Sequence, residues 1–164
     1  MVDPVTPINL ADFLLVESRD RGEVLTNLKL QKLLYYSQAW RLALTNEPLV
    51  VEDFQAWVHG PVLPSQYHRF SNFKWRPLEV ESTRPDFAED VRQHLIEIVD
   101  VFGSETAVAL ELMTHREKPW LDARGGLPLD AISDAVIPKA SMAEFYRALQ
   151  KDEEAKWHVR HAFP

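Results

Sequence analysis

Residues 28–44 read LKLQKLLYYSQAWRLAL, a stretch that places apolar side chains on every side of a helix. On a wheel turned by about 100° per residue, both halves are filled. One half carries Leu30, Leu33, Leu34, Trp40 and Leu44, and the other carries Leu28, Tyr35, Ala39 and Leu42. A helix that is apolar all round is normally surrounded by the rest of its domain. Burying each large side chain contributes about 1.5–3 kcal/mol, so this segment is predicted to dominate the core.

Three polar residues interrupt the apolar pattern of this helix. Lys29, Lys32 and Tyr36 fall within about 60° of each other on the wheel, because they are spaced by three, four and seven residues. Lysine is rarely buried unless it is paired, or unless its stem is covered while the ammonium stays in water. Two interpretations remain open: an internal ion pair or solvent-facing strip, and a polar patch that faces a partner protein.

Helix signals cover most of the remaining chain. Thr26 is predicted to cap the central helix, and Asn9, Asp86, Ser104 and Ser141 are predicted to cap four others. The predicted helices run from Asn9 to about Asp20, from Asn27 to about Leu44, from Asp86 to near Gly103, from Ser104 to Arg116 and from Ser141 to about Lys151. Pro64 suits the first position of a short helix that extends to Phe70.

The segment between the central helix and residue 80 shows strand and turn signals as well as the short helix. Phe54–Val58 is typical of a short strand, and His59-Gly60-Pro61 is a turn signal. Lys74–Val80 is the candidate partner strand. Residues 118–140 contain three prolines and the Gly125-Gly126 pair, so we expect them to be mostly irregular with a helical turn or two.

These patterns predict a mainly α fold. We expect a compact helical bundle around a central buried helix at about residues 27–44, with a small β-hairpin within residues 54–80. No repeat or linker divides the chain, so residues 1–152 are predicted to form one domain and residues 153–164 a C-terminal tail.

Composition narrows the classes of function. The 164 residues include no cysteine, which excludes disulfides, thiolate metal sites and a cysteine nucleophile. The longest aliphatic or aromatic run is Phe13–Val16, and the N-terminus shows no secretory pattern, so we expect a cytoplasmic protein without membrane spans. The formal charge is −7, and residues 81–164 carry 10 Lys/Arg against 16 Asp/Glu. This balance argues against nucleic-acid binding and suits either a basic protein partner or simple solubility.

Two motifs resemble the signature of a known family. The sequence from Leu28 to Tyr36 is similar to its Lys-Leu-x-Lys-Leu-Leu-Tyr helix, and Ala56–Val62 is similar to its Trp-x-x-Gly-Pro-Val turn, which Tyr67 follows at a fitting distance. On these motifs the chain resembles the Panacea domain of SocA-like, phage-associated antitoxins. The resemblance covers about residues 9–150 and includes Pro119-Trp120; residues 153–164 lie beyond it.

This resemblance implies a helical domain encoded beside a toxin gene. Such a domain neutralises its cognate toxin by direct protein–protein contact, and some members act as adaptors that pass the toxin to an AAA+ protease. The implied partner is therefore a toxin from an adjacent gene, with no cofactor and no catalytic residues.

The candidate partner-binding residues combine the polar patch, the turn and one terminal aromatic residue. They are Lys29, Lys32, Tyr36, Trp57, His59, Gly60, Pro61, Tyr67 and Trp157. Gly60 permits a positive φ and Pro61 fixes the exit of the turn, an arrangement expected to aim Trp57 inward. The turn can thus be structural or can contact a partner.

A small metal-assisted enzyme is the alternative from another class. His158 and His161 have the spacing of two ligands on one helix, but the sequence offers no third ligand beside them. No Gly-x-Ser-x-Gly motif and no phosphate-binding glycine loop occurs in a chain with five glycines. We therefore predict a binding protein and no metal site.

Overall fold

The computed structural model describes the backbone of residues 1–162 and the side chains of residues 1–154. Within this part of the chain lie seven α-helices and one two-stranded antiparallel sheet. They are α1 (Pro7–Asp20), α2 (Asn27–Thr45), β1 (Gln55–Trp57), β2 (Gly60–Val62), α3 (Pro64–Arg69), α4 (Glu89–Phe102), α5 (Ala107–Arg116), α6 (Lys118–Arg124) and α7 (Lys139–Ala162). None of the described helices is long and apolar enough to cross a membrane.

Helix α2 lies at the centre of the fold, as the wheel predicts. It packs against α1, α3, α4, α5, α7 and β2, and most of its side chains are buried. Thr26 caps it as predicted, because its Oγ1 accepts a hydrogen bond from the Lys29 N–H at 3.3 Å. Asn46 ends the helix in the left-handed conformation, at φ 61°, which asparagine tolerates better than most residues.

Buried amide side chains of α2 hold the neighbouring segments in place. Gln31 Oε1 accepts the Leu63 N–H at 3.0 Å, which attaches the start of α3 to the central helix. Gln38 Oε1 accepts the Leu49 N–H at 2.8 Å, and its Nε2 donates to Val50 O at 2.8 Å. The chain that leaves α2 therefore folds back along it, because buried polar groups need partners.

The predicted hairpin is confirmed, but the predicted partner strand is wrong. β1 pairs with β2 in the register Gln55–Val62, Ala56–Pro61 and Trp57–Gly60, so the turn signal lies inside the hairpin. Residues 74–80 form no strand, and the Leu78 N–H instead donates to Leu25 O at 2.7 Å. The Gly60 backbone, at φ 105°, allows the chain to reverse directly after β1.

The irregular segment after α6 lies along the free edge of β1. Ala56 N–H donates to Ala135 O at 2.8 Å, and Ile137 N–H donates to Phe54 O at 2.9 Å. Buried Arg124 connects β1 to this irregular segment, because its guanidinium donates to Ala56 O at 3.2 Å and to Ala131 O at 2.6 Å. These bonds fix residues 128–137 beside the hairpin.

Four predicted helix starts are wrong by two or three residues. At α1 and α5 a nearby threonine takes the role of the predicted cap, because its hydroxyl accepts a helix N–H. Thr6 replaces Asn9, Ala88 replaces Asp86, Thr106 replaces Ser104, and α7 begins at Lys139 rather than Ser141. Asp86 is instead held by the N-terminus, since its N–H donates to Asp3 Oδ2 at 2.7 Å.

Helix α7 also continues to Ala162, past the predicted end at Lys151 and across the predicted boundary between residues 152 and 153. The division into a domain and a tail stays a prediction.

A buried cluster of tyrosines around Glu117 joins α2 to α7. The Tyr36 hydroxyl donates to Glu117 Oε1 at 2.5 Å, and the Tyr146 hydroxyl lies 3.1 Å from the same oxygen and 3.0 Å from the Tyr35 hydroxyl. Burial raises the pKa of Glu117, and the two tyrosine hydrogen bonds offset only part of this effect. The folded protein therefore holds the proton of Glu117 to a higher pH than a free glutamate does.

The variant Glu117→Gln tests this reading through the pH dependence of stability. The pKa of Glu117 in the folded protein is raised above 4.5. The wild-type free energy of unfolding should therefore decrease as pH rises above that value, because the unfolded state releases this proton first. Glutamine keeps an acceptor oxygen but does not ionise. The stability of the variant relative to wild type should therefore increase with pH, by about 1.4 kcal/mol for each unit of pKa difference. Urea unfolding between about pH 4 and pH 8 measures it, and a difference that stays constant would contradict the assignment.

Candidate functional site

A cleft of about 610 Å³ lies between α2, the hairpin and the segment after α6. Apolar surface makes up most of its lining. The apolar residues that line it are Leu28, Trp57, Val58, Val62, Tyr67, Trp75 and Ile132. A concave, mainly apolar cleft with a few polar groups is the usual form of a binding site.

Two large apolar side chains at the cleft are exposed to solvent. Trp75 is 80% exposed and Ile132 is 92% exposed. Trp75 follows Lys74, whose φ of 55° is unusual for a residue with a side chain. Residues 132–134 reach the cleft because Arg124 and β1 hold the preceding and following backbone. The cleft therefore carries apolar surface that nothing in the described chain covers.

Trp57 and Tyr67 form one wall of the cleft. Their rings meet edge to face at 4.9 Å, and Trp57 Nε1 donates to Gln55 Oε1 at 2.8 Å. The sequence-based expectation that Trp57 points into the core is wrong, because its side chain is half-buried and lines the cleft. Fully buried Trp120 takes the core position, and its Nε1 donates to Trp57 O at 2.8 Å.

Lys32 lies at the wall of the cleft and is itself 0% exposed. Its Nζ donates to Pro61 O at 3.2 Å, and no carboxylate among the described side chains lies within ion-pair distance of it. Burial lowers the pKa of Lys32 from 10.5 to about 7, and the charge of Glu111 offsets only part of this effect. The ammonium therefore loses its hydration without gaining an adjacent counter-ion.

Gly60 and Pro61 support Lys32 rather than line the cleft. A Cβ atom at Gly60 would lie 2.6 Å from Lys32 Cε and 2.9 Å from Thr114 Oγ1, so the hairpin approaches α2 more closely than another residue allows. The positive φ predicted for Gly60 is confirmed.

A histidine–glutamate pair borders the cleft. His59 Nδ1 lies 2.8 Å from Glu111 Oε1, and the His59 side chain is 75% exposed. His115 Nε2 lies 4.0 Å from the same oxygen, and its ring stacks on Trp120 at 4.1 Å. Burial lowers the pKa of His115, so its neutral form is favoured.

The structure therefore brings together only part of the predicted site. Lys32, Trp57, His59 and Tyr67 line the cleft, with Gly60 and Pro61 behind them. Trp157 lies outside the residues whose side chains are described.

Lys29 and Tyr36 make contacts within the protein and do not line the cleft. Lys29 Nζ donates to Glu23 Oε1 and to Gly103 O, both at 2.6 Å, and Tyr36 binds Glu117. Lys29 thus forms an ion pair, whereas the contact of Tyr36 is a hydrogen bond.

Sequence reasoning missed Trp75, Ile132 and Glu111. The first two belong to irregular segments in which no periodicity marks a surface, and Glu111 lies on α5 without a motif. An isolated tryptophan between lysine and arginine was the available signal for Trp75.

No group of three or more metal-ligand side chains occurs among the described residues. His158 and His161, the pair considered in the sequence, lie outside the described side chains.

Comparison with known proteins supports the resemblance. The family model described as "Antitoxin SocA-like, Panacea domain" matches residues 30–121, slightly more than half of the chain. The protein named "Antitoxin SocA" from Caulobacter vibrioides is 40% identical over 62 residues, which are 38% of this chain and 33% of that protein. The match thus spans about a third of that relative's length. No solved structure matches the chain.

The two buried lysines of α2 should respond in opposite ways to replacement by methionine. Lys29→Met removes two charge-assisted hydrogen bonds and should lower the free energy of unfolding by about 1–3 kcal/mol. Lys32→Met removes a buried ammonium without a counter-ion and should raise it at pH 7 by about 1–3 kcal/mol.

The pH dependence separates the Lys32 effect from better packing. The folded-state pKa of Lys32 is lowered to about 7, so wild type loses stability as pH falls from 10.5 towards 7. The advantage of Lys32→Met should therefore shrink as pH is raised towards 10.5. A destabilised Lys32→Met protein at pH 7, measured by urea unfolding, would show that the ammonium is compensated in a way the structure does not reveal.

Proposed function

The chain belongs to the SocA-like antitoxin family that carries the Panacea domain, and from this we propose that it neutralises a cognate toxin by binding it directly. The observation that carries this proposal is the apolar cleft with Trp75 and Ile132 exposed at it. We propose that this cleft is the toxin-binding surface.

The chemistry of the cleft supports a protein partner. Tryptophan and tyrosine dominate binding hot spots, and here Trp57, Tyr67 and Trp75 share one concavity. A large exposed apolar group such as Trp75 gains free energy when a partner covers it. The acidic balance of residues 81–164 also suits a basic partner, because complementary charge speeds association.

The polar groups beside the cleft favour binding over catalysis. A nucleophilic site needs a nucleophile within hydrogen-bond reach of its base. Here the Thr114 hydroxyl donates to the backbone oxygen of Glu111 at 2.8 Å, and the Glu111 carboxylate lies against His59. The Thr114 hydroxyl thus donates to a backbone oxygen and not to a base.

The first test is co-expression with each adjacent gene. We expect one neighbour to arrest growth when expressed alone, and this protein to restore growth and to co-purify with that neighbour. Ile132→Glu should weaken rescue, because it places a charge in the apolar contact that the toxin would cover.

Val51→Glu is the matched control for this variant. Val51 is 87% exposed and β-branched like Ile132, but it does not line the cleft. If the two variants rescue growth equally, the cleft is not the toxin-binding surface. If no neighbouring gene is toxic, the antitoxin role is wrong. A toxin level that falls only when both this protein and an AAA+ protease are present would instead identify a proteolytic adaptor.

A further inference from the structure

We propose that Lys32 binds the carboxylate of a glutamate side chain that the partner protein inserts into the cleft. This inference rests on the proposed function, which supplies a protein partner, and it adds the chemistry that the cleft recognises. The site consists of the Lys32 ammonium and the apolar walls formed by Trp57, Tyr67 and Trp75.

The Lys32 ammonium has unused hydrogen-bonding capacity. An ammonium carries three N–H donors, and the one described bond runs to Pro61 O at 3.2 Å. Buried charges are otherwise paired in proteins, because an isolated charge in an apolar environment is costly. A carboxylate is the group that supplies both the missing charge and the missing acceptors.

Lys29, on the same helix, is a buried lysine whose ammonium has a counter-ion and a further acceptor. Its Nζ contacts the carboxylate of Glu23 and the carbonyl oxygen of Gly103 at 2.6 Å each. Lys29 lies away from the cleft, whereas Lys32 lies at its wall. The buried lysine without a counter-ion is thus the one that borders the uncovered apolar surface.

The depth of Lys32 favours a side chain over a chain terminus. Lys32 is fully buried at the wall, while Trp75 and Ile132 are exposed at the cleft. A glutamate carries its carboxylate on two methylene groups, so the carboxylate can point into the cleft while the partner's backbone stays outside. A terminal carboxylate would require the backbone itself to enter the cleft.

The remaining charges around the cleft permit such an anion. Glu111 also lines the cleft, and its Oε1 lies 2.8 Å from His59 Nδ1 and 4.0 Å from His115 Nε2. Lys74 and Asp134 add one charge of each sign to the lining. Once a partner covers the cleft and excludes water from it, an ion pair with Lys32 is stronger than one at an open surface.

Three tripeptides test the inference on the full chain. The first is acetyl-Leu-Glu-Leu-amide, the second is acetyl-Leu-Gln-Leu-amide, and the third is acetyl-Leu-Gln-Leu with a free terminal carboxylate. Binding is followed by ¹⁵N–¹H spectra through the indole signals of Trp57 and Trp75, which line the cleft. We expect the glutamate peptide to bind about tenfold more tightly than either glutamine peptide.

Lys32→Met should abolish this preference while both capped peptides keep their weak apolar binding. Lys118→Met is the matched control, because the Lys118 side chain is 73% exposed and lies outside the cleft; it should leave the preference unchanged. Equal binding of all three peptides, no binding of any, tighter binding of the free-terminus peptide, or a preference that survives Lys32→Met would each overturn the inference.

The peptide result is independent of the co-expression result. If no neighbouring gene is toxic, the proposed function fails while the peptide preference still reports on Lys32. If a toxin is found and Lys32→Met still neutralises it fully, the antitoxin role stands and the glutamate contact is wrong.

Discussion

Burial of α2 on all sides is the constraint on which the remaining structure depends. A helix that is apolar all round has to be surrounded, so five other helices and β2 pack against it. Its few polar side chains then have to find partners in those elements. Gln31 and Gln38 bind backbone groups, and Tyr36 binds Glu117. The polar residues of α2 thereby determine where the neighbouring segments attach.

The sequence was sufficient for the centre of the fold but not for its long-range contacts. The apolar wheel and Thr26 define α2 because both signals are local. The same wheel groups Lys29, Lys32 and Tyr36. A helical wheel shows only the angle around the helix axis, however, and not the position of a residue along it. Seven residues rise about 10 Å, so the two ends of the group meet different neighbours. Local signals also compete at helix starts, which is why Thr6 caps α1 although Asn9 has a suitable side chain.

The cleft likewise combines residues that a local motif locates with residues that only long-range contacts bring there. The turn motif located Trp57 and Gly60, because it is continuous in sequence. Ile132 reaches the cleft only through the bonds of Arg124 and β1, which no sequence period reports. The family match ends at residue 121, before Ile132. Lys32, Trp57 and Tyr67 thus lie within the matched range, whereas Leu28 and Ile132 lie outside it.

Lys32 links the stability of the free protein to the chemistry of this cleft. Its ammonium is desolvated without an adjacent carboxylate, so we expect the free protein to be less stable than it would be with an apolar residue there. Residues that reduce stability in this way are typical of functional surfaces, where the strain is relieved by the ligand. A partner carboxylate would restore the missing counter-ion, and the free energy lost in the free state would return on binding. The same ammonium would penalise a partner that offers only apolar groups, since its charge would then be sealed from water without compensation. Lys32 would therefore contribute more to the choice of partner than to the overall affinity.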